Sequence, residues 1–145
     1  MNLKIKTIAI LLLTVNLTFA RIGATYQDCV KRYGEPTASV AGDPENSTHM
    51  FKKSGFLITI TISKNKSYIV SYVKLDKDLK FTKTELTNIL SANGDKWSKT
   101  ENIDGKEKFE TENKKLIALY IDGKIDIYDL IEDVPKLDEK STEGL

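Results

Sequence analysis

The sequence predicts an α+β domain in which one helix followed by an antiparallel β-meander occurs twice, with the helices packed on one face of the sheet. Three observations point there. Thr25-x-x-Asp28 and Thr82-x-x-Glu85 lie 57 residues apart, and each has the cap chemistry that opens a helix. Each is followed by apolar runs broken at short polar turns, the pattern of strands joined by hairpins. The hairpins centred on Asn65 and Gly123 lie 58 residues apart, which sets two pseudo-repeats at about 21–76 and 77–130.

Residues 1–20 precede that domain and read as a cleavable signal peptide. Lys4 and Lys6 form a basic start, and Thr7 to Phe19 is an apolar run interrupted by Thr14, Asn16 and Thr18. Thr18 and Ala20 supply small side chains for cleavage between Ala20 and Arg21. The run is nearer 13 residues than the roughly 20 that a membrane span needs. The expectation is therefore an exported protein, periplasmic or extracellular, with no membrane span after cleavage.

The first helix is expected over 26–33. Thr25 caps it, Tyr26, Cys29, Val30 and Tyr33 form one apolar stripe, and Gly34 and Pro36 stop it. Residues 37–47 read as a loop. His49 to Lys53 is a short strand ending at Ser54-Gly55. Phe56, Ile58, Ile60 and Ile62 then alternate with Leu57, Thr59 and Thr61, the period of a half-buried strand. Lys64-Asn65-Lys66 turns the chain into Tyr68 to Val73.

The second helix begins at the Thr82–Glu85 capping box with Phe81 in the staple position. Leu86, Ile89 and Leu90 line its apolar face, and Asn93-Gly94 ends it. Strands follow over Trp97 to Glu101, Lys106 to Thr111, Leu116 to Ile121 and Lys124 to Tyr128. Asp104-Gly105 and Asp122-Gly123 are the turns, each expected to hold positive φ at both positions. Residues 131–145 turn polar and acidic around Pro135 and read as a disordered tail.

Composition narrows the function classes. The chain of 145 residues carries 22 basic and 21 acidic side chains. Loss of residues 1–20 removes Lys4 and Lys6 and leaves a near-neutral domain, which argues against a nucleic-acid partner. Cys29 is the single cysteine, so the fold relies on its core rather than on a disulfide.

The segment Arg21-Ile22-Gly23-Ala24-Thr25, with Cys29 and the closing Arg32-Tyr33-Gly34-Glu35-Pro36, resembles a set of small exported bacterial proteins that begin "RIG-x-T…C…RYG-x-P". It is also similar to the "G-x-T…L-G-x-P" helix of β-lactamase-inhibitory proteins and of BamE-type outer-membrane assembly lipoproteins. That resemblance implies helices followed by an antiparallel meander, in tandem in the inhibitors. The inhibitors' disulfides and the lipid-anchor cysteine of the BamE type have no counterpart here.

Few residues point to chemistry. His49 is the single histidine, so a nucleophilic site would have to pair it with Cys29. No His/Cys cluster has metal spacing, and no glycine-rich phosphate loop occurs. Tyr68, Tyr72, Tyr120 and Tyr128 all fall on expected strands. If the isoleucines of 58–62 and 125–127 face the helices, some of these tyrosines stand on the open face, as the aromatic anchors of protein interfaces do. The expectation is a non-enzymatic exported domain, without cofactor or metal, that binds another exported or envelope protein through Tyr68, Tyr72, Tyr120 and Tyr128. An envelope hydrolase using Cys29 and His49, and a structural envelope component, are the alternatives.

Overall fold

A computed structural model describes residues 21–40, 45–78 and 80–130. The readings of 1–20 as a signal peptide and of 131–145 as a tail lie outside the described residues. Helix α1 runs Tyr26–Tyr33, followed by strands β1 (Ala38–Val40), β2 (Ser47–Lys53), β3 (Phe56–Ser63) and β4 (Lys66–Lys74). Helix α2 runs Lys83–Asn93, followed by β5 (Trp97–Lys99), β6 (Glu107–Thr111), β7 (Leu116–Ile121) and β8 (Lys124–Asp129).

Both helices start where their caps require. Thr25 Oγ1 accepts from the Asp28 amide at 3.2 Å and the Asp28 carboxylate accepts from the Thr25 amide at 3.1 Å. Thr82 and Glu85 exchange the same two bonds at 3.1 and 2.8 Å. Each pair satisfies two amides that a helix N-terminus leaves open. Gly34 closes α1 at φ 83°, a conformation that costs a side chain dearly.

The expected tandem of helix-plus-meander units is corrected by the sheet. All eight strands join one antiparallel sheet in the order β1-β2-β3-β4-β8-β7-β6-β5. The join is β4 with β8, paired over five residues from Ile69↔Tyr128 to Val73↔Lys124. Both runs of strands thus belong to one sheet. An edge strand at β4 or β8 would leave a row of unpaired N–H and C=O groups, and their mutual pairing removes both edges at once. The result is a sheet-dominated α+β architecture with two short helices.

Two local expectations also change. Residues 37–47 contain β1, whose Ala38–Val40 pairs with Thr48–Met50. At Asp122-Gly123 only the glycine takes positive φ, at 81°, whereas Asp104-Gly105 takes it at both positions, 49° and 74°.

Burial alternates along the strands and defines two faces. On β3 every second residue, from Phe56 to Ile62, is buried and the residues between are half-buried. The buried set joins Phe51, Val70, Tyr72, Ala118, Ile125 and Ile127 from other strands with Cys29 and Tyr33 of α1 and Ile89 and Leu90 of α2. One core therefore lies between the sheet's inner face and both helices. Residues 21–24 are stitched onto it. Gly23 N donates to Ser67 O at 2.7 Å, Ser67 N to Ala24 O at 2.9 Å, and Ile22 N to Asn93 Oδ1 at 3.1 Å. Asn93 Nδ2 in turn donates to the Tyr72 hydroxyl at 3.1 Å, so α2, β4 and the N-terminal segment share one buried polar knot.

Candidate functional site

The four tyrosines do not form one surface. Tyr72 is fully buried, edge-on to Phe56, and burial holds its phenol well above the ordinary range. Tyr120 also points inward: its ring lies 5.2 Å from that of Phe81, and its hydroxyl accepts the Phe81 amide at 3.1 Å. Tyr68 sits at the irregularity where Thr61 pairs with Ile69 but Ile62 pairs with Ser67. Tyr128 stands on the outer face, where it pairs with Ile69 and Ile117. There its half-burial and the neighbouring Asp126 raise its phenol.

Cys29 and His49 are not brought into a pair. Both ring nitrogens of His49 are taken by serines, Nδ1 by Ser39 at 2.7 Å and Nε2 by Ser47 at 2.6 Å. Tyr26 lies over the imidazole with ring centres 4.5 Å apart. Burial holds the His49 pKa below the ordinary histidine value and pushes the Cys29 thiol up to about 11. A thiol that stays protonated at neutral pH is a poor nucleophile. Ser39–His49–Ser47 instead fastens the short edge strand β1 to β2. Among the described residues no group of three His, Cys, Asp or Glu could hold a metal ion.

A groove of about 320 Å³ lies between the end of α2 and β5–β6. Several of its polar groups are already paired, while Thr87, Ser91 and Asp95 also line it. The Trp97 indole N–H donates to Leu90 O and Gly94 O, and Lys96 and Lys99 pair with Glu112 and Glu107.

The outer face of the sheet is the larger feature. Strand register places Leu57 opposite Val73 and Thr61 opposite Ile69 across β3–β4. On the other half it places Ile117 opposite Tyr128 and Ile121 opposite Lys124 across β7–β8. Leu119 sits between them, level with Asp126. Leu57, Ile69, Val73, Ile117, Leu119 and Tyr128 are each half-buried, and both helices pack on the opposite face. Two ion pairs lie within this face, and Lys52 stands exposed on it opposite Leu57. Lys124 pairs with Asp126 at 3.0 Å and Lys108 with Glu110 at 3.6 Å, while the Ser71 hydroxyl also donates to Asp126. Sequence reasoning found Tyr128 but missed Ile69, Ile117 and Leu119, because β7 is apolar at inward and outward positions alike and shows no alternation.

No family model and no curated protein matches the chain. Solved structures similar to it include the following two. One is a cysteine-rich secretory protein from Staphylococcus aureus, 8% identical with a TM-score of 0.43 over 74% of this chain and 44% of that one. The other is a DUF4309 family protein from Bacillus subtilis, 13% identical with a TM-score of 0.43 over 72% and 78%. The chain thus spans under half the length of the Staphylococcus protein. Likenesses this distant assign neither a family nor an activity. No helix of the described residues is long and apolar enough to cross a membrane.

Proposed function

We propose that this is an exported, non-enzymatic protein-binding domain whose outer sheet face docks another exported or envelope protein. The observation that carries the reading is the apolar centre of that face, the half-buried Leu57, Ile69, Val73, Ile117, Leu119 and Tyr128, on the side of the sheet away from both helices. Large contiguous apolar patches on a folded surface mark interaction sites. Export is supported by the basic and apolar order of residues 1–20.

The test is a photo-activatable residue placed at position 119, with position 83 on α2 as the control, in the native host. A protein adduct from position 119 and none from position 83 is expected. Adducts from neither position, or from position 83 alone, contradict the reading.

A further inference from the structure

We propose that the groove at the end of α2 binds an organic ammonium ion, a cationic head carried on or surrounded by hydrocarbon. The groove lies on the inner side of the sheet, beside the edge strand β5. The proposal therefore goes beyond the outer face and does not depend on it. Charge, lining and size select this ligand.

The charged side chains that line the groove are Asp95, Lys96 and Lys99. Both lysines are met by carboxylates, Lys96 by Glu112 just past β6 and Lys99 by Glu107 on β6, each at 2.7 Å. Asp95 is exposed just past the helix and takes part in none of the ion pairs among the described residues. The last turn of α2 carries no basic side chain, so the negative pole of the helix dipole has no cation of its own there. With the lysines compensated, a carboxylate beside a helix C-terminus remains, and both favour a positive ligand. An anion would meet Asp95 without a counter-charge.

The lining favours an organic cation over a bare metal ion. Leu90, Trp97 and Phe109 give the groove apolar and aromatic surface, and the π face of a ring attracts a cation. The Trp97 ring is fixed, because its N–H donates to Leu90 O at 2.7 Å and to Gly94 O at 2.9 Å. Little freedom is then lost when a ligand arrives. Thr87 and Ser91, one turn apart on α2, add hydroxyls that can accept from an ammonium group. Calcium or magnesium takes about six oxygen ligands or more. Among the described residues no group of three His, Cys, Asp or Glu is assembled to supply them. The volume of about 320 Å³ lies at the small end of ligand pockets. It admits one head group and its stem, not a folded partner.

Titration of the purified protein with choline and with N-acetyl-lysine methylamide tests the proposal. The control is the uncharged analogue of choline in which carbon replaces the quaternary nitrogen. Binding is read from the fluorescence of Trp97, the single tryptophan, and by isothermal calorimetry. Saturable binding of at least one cation is expected, about tenfold or more tighter than the neutral analogue and weakened by added salt. The cation that binds more tightly distinguishes a free quaternary amine from a peptide side chain as the source. Asp95→Asn should weaken the cation about tenfold, and Phe109→Leu about threefold. The proposal is overturned if neither cation saturates by high millimolar concentration. It is equally overturned if the neutral analogue binds as well as choline, or if Asp95→Asn leaves the cation's affinity unchanged.

Discussion

His49 shows how one buried side chain ties composition to behaviour. Ser39 and Ser47 fill both ring nitrogens, and Tyr26 covers the ring. Serine hydroxyls can donate or accept, so protonation does not break these bonds. What penalises the cation is burial, which lowers the folded-state pKa below the ordinary histidine value of 6.5. The unfolded chain therefore binds the proton more readily than the folded one. This contribution to stability is fully present above the unfolded pKa near 6.5 and is lost as pH falls through the folded pKa. Denaturant midpoints measured at about pH 7.5 and about pH 5 should fall on acidification, and His49→Asn should flatten that part of the difference. A stability that is unchanged or rises over this interval contradicts the account of the site.

At the scale of elements, the helix ends and their neighbours carry the sharpest constraint. Gly94 ends α2 with extended backbone at φ −173°, so its conformation does not demand glycine. Space does, because a Cβ there comes within 2.8 Å of Leu116 Cδ1 and 3.3 Å of Thr111 Cγ2. Gly94→Ala should cost about 1 kcal/mol by overpacking, and the cost should shrink in a Leu116→Ala background, because the two sites share one space. Equal cost in both backgrounds, read from thermal or denaturant unfolding, contradicts the packing argument. The caps, the stripe of α1 and the alternation of β3 were legible because each is a local pattern. β1 was not, since Ala38–Val40 is exposed and gains its structure from pairing with β2 and from the Ser39–His49 bond. Nor was the facing of the tyrosines. Tyr68 follows a register irregularity, and Tyr120 lies in a strand apolar on both sides, so its direction depends on which neighbour it pairs with.

Across the whole molecule, the pairing of β4 with β8 decides the architecture, and no local pattern announces it. It turns two runs of strands into one surface, with the core on one side and a second apolar face on the other. The candidate site is a product of that join, since Ile69 and Val73 meet Tyr128 and Lys124 there. The sequence therefore pointed to strand tyrosines, whereas aliphatic residues from β3, β4 and β7 make most of the face. The central claim is that the inner face holds the fold together and the outer face is free for recognition. Denaturant unfolding of Leu119→Lys beside Ile127→Lys tests this most directly. Ile127 is fully buried on the inner face, so a lysine there should cost on the order of 4 kcal/mol or prevent folding. Leu119→Lys should stay within about 1 kcal/mol of the parent. Comparable large losses from both substitutions would contradict the account, because the outer face would then be part of the core.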